Sequence, residues 1–304
     1  MTASVVAIVG PTAVGKTEVS IEVARAIGAE IVSIDSMQVY RGMDVGTAKP
    51  SAEQCAAVPH HMIDVAAASH ALTVAEFQSM ARSAIEDIHG RGRVPLLVGG
   101  SGLYFRAVVD DLEFPPRSEE TRARLEEEAG ELGAEVLHAR LAALDPRAAA
   151  RIEPANARRI VRALEVIEVT GRPFSDNDGW ERYESVYDLH AVALGRERDE
   201  LAARIEARVD RMLADGLVAE ARALQAKGMS VTARQALGYR QILDASPDAT
   251  EEELRPAIVT ATRRFARRQE SWFRADPRLL RHDASEPGAA EALASYFSRA
   301  LRLP

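Results

Sequence analysis

The sequence of 304 residues is poor in cysteine and in aromatic side chains, with a single cysteine and 5% aromatic residues. The one cysteine, Cys55, cannot form an internal disulfide, and it has no cysteine or histidine neighbours at the spacing of a zinc site. The adjacent His60 and His61 also lack that spacing. We therefore expect neither a zinc site nor redox chemistry.

Long apolar runs are missing as well. No segment approaches the roughly 20 uninterrupted apolar residues that a membrane span requires. The N-terminus runs straight into a strand-like segment without the pattern of a secretory signal. We expect a cytoplasmic protein that has no membrane contact and acts as a monomer.

The charge is unevenly distributed. A net charge of -8 argues against indiscriminate coating of nucleic acid, because affinity for a polyanion comes largely from local lysine and arginine. Acidic residues concentrate in the segment 119–135, whereas the segment 255–282 carries eight arginines against two acidic residues. This arginine-rich segment is a candidate surface for contacting phosphates.

Short apolar runs alternate with helical patterns over much of the chain. Ser4–Val9, Glu30–Ile34, Val94–Val98 and Leu189–Leu194 are runs bounded by turn residues, which is typical of buried strands. Helical segments between strands predict a parallel sheet. Apolar spacing predicts wholly helical structure over 117–172, one long amphipathic helix from about 201 to 228, and an arginine-rich helix over 251–274.

A phosphate-binding pattern, G-x-x-x-x-G-K-[ST], follows the first predicted strand and precedes a predicted helix. Glycines in such a loop let backbone amides turn towards phosphate oxygens at the start of a helix, where the amides are unpaired donors. The lysine supplies a cation for the phosphates, and the final hydroxyl can bind Mg²⁺. The matching residues are Gly10, Pro11, Thr12, Ala13, Val14, Gly15, Lys16 and Thr17.

These patterns predict an α/β fold: a parallel sheet core of the P-loop NTPase type, flanked by helices, with an inserted all-helical domain and a helical C-terminal region. The predicted first part of the core covers 1–112, the helical insertion 113–185, and the continuation of the core with the arginine-rich region 186–304.

Asp35 follows the second predicted strand directly, so we expect it at the carboxyl edge of the sheet, where open α/β sheets bind ligands. A carboxylate beside the phosphate loop can act as a base. Asp-Ser is also good turn chemistry, so a turn residue is an equally open interpretation at this point. The polar, glycine-punctuated segment Asp35–Pro50 that follows favours a functional role.

Segments in a fixed order from residue 10 to residue 274 closely resemble those of bacterial tRNA dimethylallyltransferases, also called isopentenyl-diphosphate:tRNA transferases. The seven segments are 10–17, 35–50, 58–64, 98–104, 158–165, 235–241 and 262–274. They are spread over nearly the whole chain.

The resemblance implies that the substrates are dimethylallyl diphosphate and a tRNA whose anticodon stem-loop has adenosine at position 37, and that Mg²⁺ is the cofactor. In this family the phosphate loop holds the diphosphate of the prenyl donor, and the aspartate matching Asp35 is the base for the adenine N6 amine. Implied catalytic residues also include Lys16, Thr17, Ser101 and Arg208, with Thr17 at the metal. Implied contacts to the tRNA come from Asp35, Ser36, Met37, Gln38, Ser101, Arg122, Arg158, Arg159, Ile160, Val161 and Arg162.

This sequence departs from the family pattern at two positions. Ser101 replaces the usual threonine and keeps the hydroxyl, whereas Val14 replaces serine or alanine and offers only its backbone amide. The assignment of Arg208 to the diphosphate remains open against Arg204 and Arg211, which share its helical face.

The residues also suggest where RNA could bind. Arg158, Arg159 and Arg162 are predicted to share one helical face, and a second cluster comprises Arg263, Arg264, Arg267 and Arg268. Each cluster could instead be an ordinary solvated face. Trp272 could stack on a base, although core packing is the simpler expectation.

Three other functions fit parts of the sequence. A small-molecule P-loop kinase would place ATP in the loop, and Asp35 would accept a substrate proton, but it would not need the helical insertion. A prenyltransferase for free adenine nucleotides should lack the segment 262–274. An RNA-binding module with a vestigial loop would have no reason to retain both Lys16 and Asp35.

Overall fold

A computed structural model describes residues 3–176, 179 and 182–302. The chain forms two compact units, one made of Met1–Asp110 with Ser185–Pro304 and the other of Asp111–Glu184. Among the described helices, none is both long enough and apolar enough to cross a membrane.

The strands belong to the larger unit. They are β1 (Ser4–Val9), β2 (Ala29–Ser33), β3 (Tyr40–Arg41), β4 (His60–His61), β5 (Ala66–Ala67), β6 (Val94–Gly99), β7 (Asp188–Gly195) and β8 (Leu279–Asp283). The main sheet has six strands in the order β4-β2-β6-β1-β7-β8, and every adjacent pair is parallel. β3 and β5 form a separate parallel pair.

Helices make up most of the remaining described chain. They are α1 (Lys16–Ile27), α2 (Ala52–Ala57), α3 (Val74–Gly90), α4 (Gly102–Val109), α5 (Glu119–Leu132), α6 (Ala134–Leu144), α7 (Pro146–Ala149), α8 (Ala157–Thr170), α9 (Arg198–Ala214), α10 (Leu217–Lys227), α11 (Val231–Arg234), α12 (Tyr239–Asp244), α13 (Glu251–Ala275) and α14 (Ala289–Leu301). A 3₁₀ turn covers Phe174–Asp176.

The parallel sheet predicted from the apolar runs is confirmed, and the predicted strands correspond to β1, β2, β6 and β7. Val5 to Val9 of β1 are fully buried because strands and helices cover both faces and both edges of this central strand. The edge strands β4 and β8 were not predicted. β4 has only two residues and β8 ends in charged side chains, so neither gives an apolar run.

The single long helix predicted from 201 to 228 is wrong. The chain forms α9 and α10, which are separated at Asp215 and Gly216. Gly216 has a φ of 93°, a left-handed conformation that glycine adopts without steric cost and that ends a helix. Apolar periodicity continues across this break and so does not reveal it.

The smaller unit, Asp111–Glu184, is helical in its described part and has its own apolar core. Leu125, Leu141, Ile160 and Leu164 are fully buried in it. Glu165 is buried among them and accepts hydrogen bonds from the Ser118 amide (3.0 Å) and from Arg162 Nη1 (2.9 Å). A buried carboxylate requires such partners to offset its lost hydration.

A buried ion cluster joins α4 to the start of β8 in the larger unit. Asp110 is 1% exposed, and its carboxylate accepts from Arg106 Nε and from Arg278 Nη1, both at 2.5 Å. Arg278 also binds Asp276, with 2.7 Å between Nη2 and Oδ2. Each charge in the cluster is therefore compensated by an opposite one.

We expect Asp110→Ala to lower the free energy of unfolding by about 3 kcal/mol, because it removes the buried carboxylate that Arg106 and Arg278 share. Urea titration of the variant beside wild-type protein measures the change. Asp87→Ala, at an exposed position of α3, is the matched control and should change stability by less than about 0.5 kcal/mol. Equal effects of the two substitutions would contradict a stabilising role for the cluster.

Candidate active site

The phosphate-binding loop connects β1 to α1, as its sequence context predicted. Its backbone has positive φ at Gly10 (154°), Ala13 (64°) and Gly15 (109°). Gly10 also lies against β7, and a Cβ at this position would lie 2.7 Å from the Leu194 carbonyl oxygen. Glycine is therefore required at position 10 by both conformation and space.

Lys16 begins α1 and curls back over its own loop. Its Nζ donates to the carbonyl oxygens of Gly10 (2.9 Å) and Pro11 (2.7 Å). Burial, followed by the nearby positive charge of Arg208, lowers the pKa of Lys16 to about 7, although Asp35 and Glu18 oppose the shift. The loop thus holds a desolvated cation that a bound anion would stabilise.

Arginines of α9 and the preceding turn surround the loop. Burial lowers the pKa of Arg208, Arg211 lowers it further, and Asp35 and Glu18 act in the opposite direction. Arg204 Nε instead donates to the Ala13 carbonyl oxygen at 2.8 Å. The arginines predicted on one face therefore differ: Arg208 interacts electrostatically with Lys16 and Asp35, whereas Arg204 holds the loop backbone.

Asp35 lies at the carboxyl end of β2, and both interpretations of its sequence context apply. Its Oδ1 accepts from the amides of Met37 (2.8 Å) and Gln38 (3.3 Å), which is the turn geometry expected of Asp-Ser. The side chain also lines a small cavity of about 50 Å³ together with Lys16 and Thr17. Among the described residues, none donates a hydrogen bond to Oδ2, so this oxygen is available to a ligand.

Gln38 links the turn at Asp35 to the loop that follows. Its Oε1 accepts from Ser33 Oγ at 2.9 Å, and its Nε2 donates to the carbonyl oxygens of Thr47 (3.2 Å) and Ala48 (3.3 Å). The predicted contact residues Ser36 and Met37, which lie between Asp35 and Gln38 in the turn, are partly buried, as Asp35 is. The side chain of Gln38 therefore holds the turn and the loop together and is not free in the cavity.

The loop after β3 is shaped by residues far away in sequence. The Glu220 carboxylate accepts from three consecutive backbone amides, those of Asp44 (3.0 Å), Val45 (3.0 Å) and Gly46 (3.3 Å). It also accepts from the Tyr239 hydroxyl at 2.5 Å. Because a Cβ on Gly46 would collide with the Tyr239 ring, the close approach of α12 requires glycine there.

Ser101 is the N-cap of α4, and its Oγ accepts from the Tyr104 amide at 3.5 Å. The loop from Gly99 to Ser101 lies against α13, where Gln269 Nε2 donates to the Gly100 carbonyl oxygen at 2.8 Å. Gln269 Oε1 accepts from the amide of Thr12 at 2.9 Å. The Thr12 amide, predicted to bind phosphate, is thus occupied by a side chain in this state.

In the smaller unit, the predicted RNA-contacting run on α8 divides into two kinds of residue. The side chains of Arg158 and Arg159 are exposed and have no hydrogen-bond or ion-pair partner within the described ranges. Ile160 and Val161 are buried, at 0% and 2% exposure, so their side chains pack in the core and cannot reach a ligand at the surface.

The other predicted contacts of this unit already have protein partners. Arg162 donates from Nη2 to the Pro115 carbonyl oxygen at 2.7 Å and from Nη1 to Glu165. Arg122 forms an ion pair with Glu126 at 2.8 Å. Arg158 and Arg159 are therefore the better candidates for binding an anion.

The arginine cluster of α13 is also mixed. Arg263 is paired with Glu206, whereas Arg264, Arg267 and Arg268 are exposed. Trp272 is 44% exposed and lies on Gly102, where a Cβ would be 2.8 Å from its ring. The sequence favoured core packing for Trp272. This prediction is wrong, because α13 leaves the indole ring partly exposed to solvent.

Mg²⁺ in phosphate sites usually has one or two protein ligands and takes its remaining ligands from phosphates and water. The Thr17 hydroxyl and the Asp35 carboxylate line one cavity beside the loop, which fits this requirement. Within residues 3–176, 179 and 182–302, no three histidine, cysteine or acidic side chains are grouped so that they could hold a metal ion by themselves.

Sequence reasoning missed several residues of the site. Arg196 donates to the carbonyl oxygens of Val14 (3.2 Å) and Ala284 (2.8 Å), and Gln269 and Glu220 hold the loops described above. His60 lines the cavity, and its Nδ1 donates to the Val58 carbonyl oxygen at 2.7 Å. His60 and Gln269 had a visible signal, since each lies in one of the family-like segments; Arg196 and Glu220 stand in ordinary turn or helical sequence.

Comparisons with known proteins agree with one another. The family described as IPP transferase matches residues 38–276. The tRNA dimethylallyltransferase of Streptomyces avermitilis is 52% identical over 302 residues, which are 98% of this chain and 95% of the relative. That of Thermobifida fusca is 52% identical over 295 residues, covering 93% of this chain and 91% of the relative.

Solved structures give the same result. The tRNA isopentenylpyrophosphate transferase of Bacillus halodurans has a TM-score of 0.72 at 40% identity and covers 99% of this chain and 97% of its own. A eukaryotic dimethylallyltransferase acting on tRNA has a TM-score of 0.85 at 25% identity, covering 100% of this chain and 81% of its own.

We expect the affinity for inorganic diphosphate with Mg²⁺ to fall as the pH rises above 7. The pKa of Lys16 is about 7, and a bound anion raises it, so binding above pH 7 requires uptake of a proton. The loss approaches about tenfold per pH unit until the pKa of the bound state is reached. Titration calorimetry from pH 6.5 to 9, in buffers of different ionisation enthalpy, measures both affinity and proton uptake.

Lys16→Arg is the control, because its guanidinium stays charged over this range and binding needs no proton there. Diphosphate also changes its protonation over this pH range, but this contribution is the same for both proteins and cancels in the comparison. Identical proton uptake by wild-type protein and this variant would contradict the lowered pKa of Lys16.

Proposed function

Because the chain belongs to the tRNA dimethylallyltransferase family, we propose that it transfers the dimethylallyl group of dimethylallyl diphosphate to N6 of adenosine 37 in the anticodon loop of tRNA. The products are N6-isopentenyladenosine in tRNA and diphosphate. The comparisons favour this transferase activity over a small-molecule kinase or a prenyltransferase of free nucleotides.

The observation that carries the proposal is the placement of Lys16, Arg208 and Asp35 around one phosphate loop. Two cations there repel each other and are partly desolvated, so a diphosphate leaving group would relieve an existing electrostatic cost. A carboxylate with one oxygen unengaged lies beside them. A kinase needs the same cations, but the family relationship favours breakage of the allylic C–O bond.

In the proposed reaction the adenine N6 lone pair forms a bond to C1 of the dimethylallyl group while the C–O bond to diphosphate breaks. The bonding electrons leave with the diphosphate, whose developing charge is stabilised by loop amides, Lys16 and Arg208. The amine becomes positively charged and transfers a proton to Asp35 Oδ2. Asp35 Oδ1 remains bound to the turn amides, which fixes the direction of the carboxylate.

Thr17 would hold Mg²⁺ together with the diphosphate, and the ion would neutralise part of the negative charge of this leaving group. The protein residues perform the other tasks. Arg204 and Arg196 fix the loop through the carbonyl oxygens of Ala13 and Val14, so that its amides keep one orientation. The hydroxyl of Ser101 remains able to donate, because its cap interaction uses only the oxygen as acceptor.

An adenine stacked in RNA hides its N6 amine, so the nucleotide must be extruded from the loop before reaction. Unpaired RNA loops are the usual targets of such recognition. The turn from Asp35 to Gln38 offers partly buried polar atoms for an extruded base, and Arg158 and Arg159 offer free cations for the RNA backbone. We include in the proposal that the enzyme acts on the cytoplasmic tRNA pool as a monomer.

Incubation with an unmodified tRNA transcript, Mg²⁺ and dimethylallyl diphosphate labelled in the prenyl group tests the activity, with a transcript carrying guanosine at position 37 as control. Label in the adenosine-37 transcript alone supports the proposal. Labelled ATP in a parallel reaction tests the kinase alternative, and phosphate transfer to RNA or a small molecule would refute the proposed activity.

We expect Asp35→Asn to slow prenyl transfer by at least about 100-fold, because it removes the proton acceptor while the amide oxygen still accepts from the turn amides. Binding of tRNA should stay within a few fold of wild type. Single-turnover rates and filter binding measure the two properties. The matched control is Asp64→Asn, at a carboxylate that follows β4, the neighbour of β2 in the sheet, and pairs with Lys49. A near-normal rate for Asp35→Asn would remove Asp35 from the mechanism.

We expect Arg158→Ala with Arg159→Ala to weaken tRNA binding and to make its dependence on salt shallower, because each lost phosphate contact removes about one unit of slope. The reaction rate at saturating tRNA should change little. Binding measured from about 50 to 200 mM salt gives the slope. Arg140→Ala is the control, since Arg140 is engaged by Glu128 and Glu168. An unchanged slope for the double variant would exclude phosphate contact by these arginines.

A further inference from the structure

Gln269 of α13 is a buried side chain, 6% exposed, that bridges two loops of the site. Its Oε1 accepts from the Thr12 amide at 2.9 Å, and its Nε2 donates to the Gly100 carbonyl oxygen at 2.8 Å. The first partner belongs to the phosphate-binding loop and the second to the loop that ends at Ser101. One amide therefore connects segments that are 257 and 169 residues away in sequence.

The loop after β6 is built to receive this helix. A Cβ at Gly100 would collide with Gln269 Nε2, and a Cβ at Gly102 would lie 2.8 Å from the ring of Trp272. Neither glycine has positive φ, so the need for glycine comes from the close approach of α13 rather than from backbone conformation. The bridge is thus part of a tightly packed contact and not a chance surface hydrogen bond.

The chemistry of the bridge suits glutamine in particular. One partner is a donor and the other an acceptor, and a neutral amide supplies the complementary acceptor and donor on a single planar group. Both partners are backbone groups, so they also fix which end of the amide is oxygen. A glutamate of the same length would place an acceptor against the Gly100 carbonyl oxygen.

We propose that Gln269 is a positioning residue for prenyl transfer: it fixes the distance between the phosphate-binding loop and the Ser101 loop. Lys16 and the loop amides on one side, and the Ser101 hydroxyl on the other, then act on the same bound substrate. The inference rests on the proposed function. It adds a residue that holds the phosphate-binding loop and the Ser101 loop of the site together. Loss of the bridge should impair use of the prenyl donor and leave tRNA binding unaffected.

Gln269→Glu provides the sharpest test, because a protonated carboxyl group has the same shape as the amide, donating O–H to Gly100 and accepting from Thr12. The ionised form cannot donate. Burial and the facing carbonyl oxygen favour the protonated form, so the group should titrate in the working pH range. At pH 8.5 we expect the KM for dimethylallyl diphosphate to rise by roughly tenfold or more, with tRNA affinity within about twofold, because the buried hydrogen bond to the Gly100 carbonyl oxygen is replaced by repulsion from that same oxygen.

As the pH is lowered to 6, activity of Gln269→Glu relative to wild-type protein at the same pH should recover. A merely structural role for the side chain would lower tRNA affinity together with donor use at pH 8.5, whereas a positioning role changes donor use alone. The matched control is Gln241→Glu: among the residues that the structure describes, the Gln241 side chain accepts one hydrogen bond, from the Gly238 amide at 2.8 Å, and donates none, so a carboxylate can replace it. This control should follow wild type at every pH.

Gln269→Met keeps the length of the side chain without its hydrogen bonds and without charge. It should bind inorganic diphosphate with Mg²⁺ at least about fivefold more weakly than wild type, at all pH values and with an unchanged melting temperature within a few degrees. This measurement keeps the inference testable if the glutamate variant fails to fold. Binding by Gln269→Met equal to wild type would overturn the positioning role.

The outcomes separate the inference from the proposed function. If wild-type protein does not transfer the prenyl label, the proposed function fails and the role of Gln269 fails with it. If wild type transfers the label and Gln269→Glu matches it at every pH, only the inference is overturned. A pH-dependent defect in Gln269→Glu alone supports both.

Discussion

The structure of this site depends on positive charge held in a partly desolvated loop without a matching anion. Burial is the largest cause that lowers the pKa of Lys16 and of Arg208; the charge of Arg208 lowers the pKa of Lys16 further, and the charge of Arg211 lowers that of Arg208. Asp35 and Glu18 reduce the cost but do not remove it. Such an arrangement of charges is unfavourable by itself and becomes favourable when a diphosphate binds, so part of the binding free energy is already present as electrostatic strain in the fold.

Keeping that arrangement requires loops that cannot relax, and the fold provides this through long-range side-chain contacts to backbone groups. Arg196 and Arg204 hold carbonyl oxygens of the phosphate loop, Gln269 holds one of its amides, and Glu220 holds three amides of the segment after β3. Glycines at positions 10, 46 and 100 allow Leu194, Tyr239 and Gln269, respectively, to come close. Four of the segments that resemble the family therefore contact each other in pairs. Tyr239 of 235–241 packs on Gly46 of 35–50, and Gln269 of 262–274 packs on Gly100 of 98–104.

In the smaller unit, some of the charged side chains stabilise the fold and others remain exposed. Its core of leucine and isoleucine side chains and its buried Glu165 stabilise a helical scaffold. Arg162 and Arg122 are used within that scaffold, whereas Arg158 and Arg159 remain exposed. A run of arginines in sequence thus contains both structural and available cations, and only their partners distinguish them.

The sequence by itself determined the α/β class, four strands of the sheet, the phosphate loop and the position of Asp35 at a strand end, because these depend on local patterns: apolar runs, glycine spacing and the order of elements. It could not show that Asp215 and Gly216 divide one apolar stripe into two helices, that Ile160 and Val161 are buried beside exposed arginines, or that Trp272 is exposed. Nor could it separate Arg208 from Arg204, since both lie on one helical face. Tertiary structure decided these points, because whether a side chain holds a backbone group, pairs with a charge or remains free depends on residues up to 257 positions away that only folding brings within hydrogen-bond distance.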